Sequence, residues 1–218
     1  MSPQRWTGPD VVASLIAGIA RLITGAVAVW IVPPRGERVR VYFANHSSHA
    51  DFATIWAALP PDLRASTRPV AAADYWSAGA LRRYLMASVF HGVLIDRSGG
   101  GEAATAQMAD ALRGGDSLIM FPEGTRGDGR VVAPFRSGLY HLAVAVPEAE
   151  LIPVCLVNLN RVLPKGESIP VPVIARLTFG SPIALEPGEP KSALLERARA
   201  AVLELDVRPR PTEPSSDN

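Results

Sequence analysis

The chain has little cysteine: Cys155 is the only one in 218 residues. No internal disulfide can form and no multi-thiolate metal site can be built, which fits a reducing, cytosol-facing setting. An excess of charge of either sign is also lacking. The formal net charge is +1, too small for a nucleic-acid surface held by bulk electrostatics, and no zinc-finger or RNA-recognition pattern is present. Lysine is scarce, with Lys165 and Lys191 alone beside many arginines. That bias suits bidentate anion binding, and a GC-rich genome would produce it equally well. Two catalytic signatures are missing, the Gly-x-Ser-x-Gly elbow and the phosphate loop ending in Gly-Lys-Ser/Thr. Gly115-Asp116-Ser117-Leu118 spells the nucleophile block of one hydrolase class. It stands ahead of a strand-like run rather than after one, and no Asp-x-x-His follows, which argues against serine hydrolysis.

What the chain does have is apolar residues, at 48%, enough for the core of one medium domain. The run from Val11 to Val32 is almost unbroken and ends at Pro33-Pro34-Arg35-Gly36. Its length would span a bilayer. Its energetics do not favour that, because eleven Val, Ile and Leu residues at about −0.3 to −0.6 kcal/mol each are largely offset by about +3 kcal/mol for a central Arg21. Ser14, Gly18, Arg21 and Gly25 recur at helical spacing as one small or charged stripe. The segment therefore reads as one helix lying in the membrane interface or docked on the domain. Residues 1–36 form an N-terminal membrane-associated helix and linker, 37–207 the main domain, and 208–218, rich in Pro and Ser, a disordered tail.

Beyond Pro34, strand-like and helical stretches alternate. Strands are expected at Arg38–Ala44, Arg68–Ala73, Gly92–Ile95, Ser117–Phe121, Leu151–Val157 and Val173–Phe179. Helices are expected at Phe52–Leu59, Ala80–Phe90, Glu102–Arg113, Gly138–Val146 and Lys191–Leu205. This alternation predicts an α/β domain with a layered mixed or largely parallel sheet flanked by helices, and its functional loops gathered at one end of the sheet.

Three polar stretches stand where strand-like runs stop. The first is Asn45-His46-Ser47-Ser48-His49-Ala50-Asp51. A histidine held by a carboxylate through one ring nitrogen can take a proton from a hydroxyl with the other. On a regular helix His46 and Asp51 would lie about 140° apart at about 100° per residue, so they meet only across a turn that delivers Asp51 into the first turn of a helix. Simple helix capping by Ser48 or Asp51 is the alternative. In the second, Phe121 to Arg126, Arg126 can fork onto phosphate oxygens, Gly124 lets backbone approach closely, and Glu123 can anchor an arginine or a ligand hydroxyl. The third, Gly92 to Arg97, supplies a second arginine, either as half of a phosphate clamp or as a solvated pair with Asp96. His46 with His49 would make a poor metal site, since no further ligand is evident. His91 and His141 read as structural or surface residues, and Cys155 as a small hydrophobe in a strand.

With these residues in place, the chain resembles the glycerolipid acyltransferase family that includes bacterial 1-acylglycerol-3-phosphate acyltransferases. Four ordered blocks carry the resemblance: His46-x4-Asp51 preceded by Asn45, Gly92 to Arg97, Phe121 to Arg126, and Ile152-Pro153-Val154. Phe179-Gly180-Ser181-Pro182-Ile183 also looks familial. The chain departs from the family at His49, where a large aromatic is frequent, at Gly127, often serine, and in having a single apolar helix ahead of the core.

The resemblance implies that His46 is the general base and Asp51 its orienting partner. It implies that Arg97, Glu123, Gly124 and Arg126 bind the acceptor's phosphate and glycerol, that Gly92 and Thr125 shape that site, and that Pro153 lines the acyl-donor side. The implied reaction is transfer of an acyl group from acyl-CoA or acyl-carrier protein to a lysophospholipid, without metal or cofactor, at the cytoplasmic face of the cell membrane. The attachment would be peripheral or monotopic, through residues 11–32. Another hydroxyl acceptor, or a non-catalytic lysolipid-binding role, remains open at this level.

Overall fold

The computed structural model describes residues 8–33, 38–48, 50–96, 100–129, 131–159 and 175–206. Along the chain these form α1 (Gly8–Thr24), β1 (Val27–Trp30), β2 (Arg40–Ala44), α2 (Asp51–Ala58), α3 (Pro61–Ala65), β3 (Thr67–Ala72), α4 (Ala73–Trp76) and α5 (Ala80–Tyr84). A π-helical turn, Leu85–Val89, continues α5. There follow β4 (Val93–Ile95), α6 (Gly101–Arg113), β5 (Ser117–Met120), α7 (Gly138–Ala145), β6 (Glu150–Val157), β7 (Arg176–Phe179) and α8 (Lys191–Glu204).

The strands make one sheet in the order β1-β7-β6-β2-β5-β3-β4. Every pairing is parallel except β6 with β7. Central strands of such a sheet are covered on both faces, so they read as continuous apolar runs; all five residues of β2 are buried. Alternate residues feed two cores. Tyr42, Ala44, Ile119, Val154 and Leu177 pack with α1, α2 and the π-helical turn. Val41, Phe43, Leu118, Met120 and Leu151 pack with α6, α7 and α8. The result is a helix layer on each face of a largely parallel sheet, as the alternation predicted.

The N-terminal segment departs from expectation. The single helix expected over Val11–Val32 ends at Thr24, and Val27–Trp30 becomes the edge strand beside β7. The sheet thus begins within the segment assigned to a separate membrane helix. Gly25 takes the left-handed conformation, φ 52°, which ends a helix at little cost, and the valines and Trp30 that follow favour extended backbone. Trp30 stacks on Phe179 with ring centroids 3.9 Å apart and planes 7° from parallel, fixing the strand to the domain. Helix α1 docks on α2 through Val12, Ile16, Ala17 and Ala20. Arg21 donates from Nε to the carbonyl of Ala57 at 2.7 Å, and a cation at a helix C-terminus is worth about 0.3–1 kcal/mol. The expected central charge is therefore a clamp on α2. No helix among the described residues is long and apolar enough to cross a membrane.

Elsewhere the differences are local. The helix expected over Ala80–Phe90 changes to π geometry at Leu85. Two further helices, α3 and α4, are of five and four residues, too short to show a helical period. The tail assigned to 208–218 lies outside the described residues.

Candidate active site

Register places the site. In the central pairs Phe43 faces both Met120 and Pro153, so three residues beyond the facing pair, His46 from the β2 loop arrives beside Glu123 from the β5 loop. Parallel strands deliver these loops to one end of the sheet, where ligands of open α/β sheets bind.

Each loop is held by backbone hydrogen bonds to side chains. The Asn45 amide donates to the carbonyl of Leu156 at 2.9 Å and accepts its N–H at 2.8 Å, extending the β2–β6 ladder by one residue. Asp51 is fully buried. Its Oδ2 accepts the N–H groups of Ser47, at 2.6 Å, and Ser48, at 2.8 Å, and lies 2.8 Å from Nδ1 of His46. An oxygen that already accepts two N–H groups takes a third donor from the ring, so the proton sits on Nδ1 and Nε2 is left as an acceptor. The geometry pairs His46 with Asp51 and uses neither Ser48 nor Asp51 as the cap of α2. The position ahead of α2 is Ala50, without a side-chain cap, and Ser48 Oγ serves Ala50 N–H at 3.2 Å. The His46 ring stacks on Phe121, centroids 4.1 Å apart and 17° from parallel, which fixes the ring plane.

Glu123 corrects an expectation. Expected as a ligand of the acceptor, it is 4% exposed and both oxygens are occupied by backbone: Oε1 accepts His46 N–H at 2.6 Å and Oε2 accepts Ala133 N–H at 2.8 Å. It braces the two loops. The N–H of Gly127 closes the same junction on the His46 carbonyl at 2.8 Å.

A cleft of about 820 Å³ opens beside His46. Gly124, Thr125 and Arg126 line it, and Arg136 joins them. Gly124 stands at φ 75°, and a Cβ there would come within 2.5 Å of Arg136 Nε. Glycine is thus required twice, for the conformation and for the guanidinium that crosses it. Arg136 lies ten residues past Arg126 with no strand among the described residues between them, so its arrival in the cleft could not be read from spacing. The remaining wall is largely apolar, with Phe52, Trp76, Ile95, Met108, Met120 and Leu139. Asp74, in α4 after β3, and Asp96, after β4, also line the cleft, on the side of the β4 edge of the sheet. Arg126 and Arg136, from the chain that follows β5, the strand next to β2, share the cleft with His46.

Two expected residues stand outside the cleft wall. Gly92 is half-buried, and a Cβ there would meet Met86 Sδ and come within 3.2 Å of the Pro69 carbonyl; its glycine serves packing. Pro153 is buried in β6, where its ring would contact any side chain at Gly180, because strand alternation points it into the core shared with α8. Arg97 and His49 lie outside the described residues.

The comparisons with known proteins agree with this geometry. A chain 32% identical over 56% of this one and 50% of its own length is the 1-acyl-sn-glycerol-3-phosphate acyltransferase of Salmonella typhimurium. The protein of the same name from Limnanthes alba is 31% identical over 71% of this chain and 57% of its own. The chain spans about half the length of the curated relatives it matches. Among solved structures, the fold is shared with the 1-acyl-sn-glycerophosphate (LPA) acyltransferase PlsC from Thermotoga maritima, at a TM-score of 0.68 and 21% identity over 92% of this chain and 82% of that one. The Acyltransferase family model matches residues 32–157, which contain the His46–Asp51 dyad, the Glu123 brace and the β5 loop. With more than half of its length matched to that model, the chain belongs to the Acyltransferase family.

Proposed function

We propose that this chain transfers a fatty acyl group from acyl-CoA or acyl-carrier protein to the free hydroxyl of 1-acylglycerol-3-phosphate, giving phosphatidic acid for phospholipid synthesis. The observation that carries the reading is the His46–Asp51 pair at 2.8 Å beside a cleft lined by Arg126 and Arg136. The names of the relatives support the same acceptor.

In this reaction Nε2 of His46 takes the proton of the acceptor hydroxyl as its oxygen attacks the thioester carbonyl. Asp51 holds the ring and offsets the imidazolium charge. When the tetrahedral intermediate collapses, the C–S bond breaks and the proton passes to the leaving thiolate. One ester forms, one thioester is lost, and no proton is left over. General-base assistance of this kind supplies about 10²–10⁴-fold, and the rest comes from holding acceptor and donor together. Arg126 and Arg136 suit the acceptor's phosphate, with Thr125 beside them, and the apolar wall suits an acyl chain. Arg97 belongs to this proposal through the family resemblance. The transfer as written needs no metal or other cofactor.

The acceptor resides in a bilayer and the donor in the cytoplasm, so the enzyme works at the cytoplasmic face of the membrane. Helix α1 offers the attachment: with one side docked on α2, it exposes Val11, Leu15 and Leu22, in the manner of an interfacial helix. The test is incubation of purified protein with acyl-CoA and a panel of lysolipids, following free thiol and lipid product. Product with lysophosphatidic acid above all other acceptors is expected. Thiol release without any acceptor would mean hydrolysis, and no turnover with any donor would mean lipid binding alone.

A further inference from the structure

Exposed apolar side chains are distributed unevenly over the molecule. Of the thirteen large ones exposed among the described residues, eleven lie on α1, on β1 and the turn after it, or on α4–α5. The α6–α8 layer contributes almost none. Helices α1 and α5 are neighbours, since Ala17 of α1 packs in one cluster with Trp76, Leu85 and Met86, and α1 touches the π-helical turn.

The α4–α5 unit is solvent-facing on one side and part of the cleft on the other. Leu81 is 70% exposed and Tyr84 43%, and Arg82 and Arg83 beside them are exposed. On the inner side Tyr75 and Trp76 line the cleft. Trp76 packs edge-on against Phe52 at 5.6 Å, and Phe52 against Phe90 at 5.1 Å. Arg82 lies over the Tyr75 ring, 4.5 Å from its centroid, tying α5 to α4. Exposed apolar side chains gathered on two neighbouring units call for a partner, and the exposed Arg82 and Arg83 between Leu81 and Tyr84 select one with anionic headgroups.

We propose that α4–α5 is a second membrane-contacting surface, seated with the exposed side of α1 on an anionic bilayer, and that it admits the lysolipid acceptor to the cleft past Tyr75 and Trp76. This rests on the acyl-transfer reading above for the acceptor and on the structure alone for the surface. Leu81 and Tyr84 enter the acyl–headgroup boundary while Arg83 meets lipid phosphate. The cleft then opens at the depth where the acceptor's hydroxyl lies.

The test uses the full chain and a variant carrying Leu81→Ser and Tyr84→Ser, neither of which lines the cleft. Unchanged thermal unfolding of this variant shows that both residues act outside the core. In flotation with phosphatidylglycerol-containing vesicles, the double variant is expected to partition at least about fivefold less than the parent. Arg83→Gln is expected to lose about fivefold on those vesicles and nothing on pure phosphatidylcholine. With long-chain lysophosphatidic acid embedded in vesicles, turnover by the double variant falls in step with partitioning, while turnover of a short-chain, monomerically dissolved acceptor is unchanged.

Unaltered partitioning, or an equal loss on both acceptors, would overturn the proposal. So would a parent that self-associates through this surface without lipid, with unchanged vesicle binding in the variant, because the occupant would then be a second copy. A parent inactive on both acceptors would overturn the acyl-transfer reading and with it the route for the acceptor; the flotation result would still decide the surface.

Discussion

Glu123 accepts the backbone N–H of His46 through Oε1 at 2.6 Å, across 77 residues of sequence. A carboxylate used this way fixes where His46 stands. Glu123→Gln keeps the shape but turns one buried acceptor into a donor facing an N–H, a change that costs about 1–3 kcal/mol. The expected outcome is a lower Tm and a lower kcat, with the acceptor KM little changed. A rise in KM at constant kcat would instead restore Glu123 as an acceptor ligand.

Asp51→Asn should be worse for turnover than for the fold. An amide oxygen in the same place can still accept the Ser47 and Ser48 N–H groups and the ring Nδ1–H, but it carries no charge to balance the imidazolium. A fall in kcat of about 10²–10⁴-fold is expected, measured as initial thiol release, together with retained acceptor binding. Activity within a few-fold of the parent would sink the dyad.

Arg126→Ala and Arg136→Ala are expected to raise KM for phosphate-bearing acceptors by about tenfold or more each, the scale of a charge-assisted hydrogen bond. Monoacylglycerol, which lacks the phosphate, should be affected little. Lysine at either position should recover part of the loss. The same penalty on both acceptors would show that the arginines do not grip phosphate.

Acid stability has one readable contribution. The side-chain hydrogen bonds from Arg197, at 2.6 and 2.9 Å, hold the Glu189 carboxyl below its usual range. A carboxyl depressed in the folded state stabilises fully above its unfolded value and loses that stabilisation as pH falls through the folded one. Glu189→Gln should therefore lower Tm at neutral pH, with the deficit shrinking as the solution is acidified below the ordinary carboxylate range. A deficit independent of pH, in thermal melts across that series, would assign the loss to packing.

What could be read beforehand divides along physical lines. Strand and helix periods depend on neighbours a few residues apart, so the alternation, the layered α/β plan and the placement of His46, Asp51 and Arg126 after strand ends were all legible. The segment from Val11 to Val32 misled because its composition suits a helix throughout. Only the contact of Val27–Trp30 with β7 makes an edge strand of its second half.

By itself, then, the sequence determined the fold class, the family blocks and the pairing of His46 with Asp51 across a turn. The tertiary structure alone decided which polar groups face the cleft. Pro153 turns inward through strand alternation, Glu123 is held inward by the backbone N–H groups of His46 and Ala133, and Arg136 enters the cleft across a glycine with no side chain to block it. Those outcomes depend on contacts between residues far apart in the chain, which no local pattern encodes.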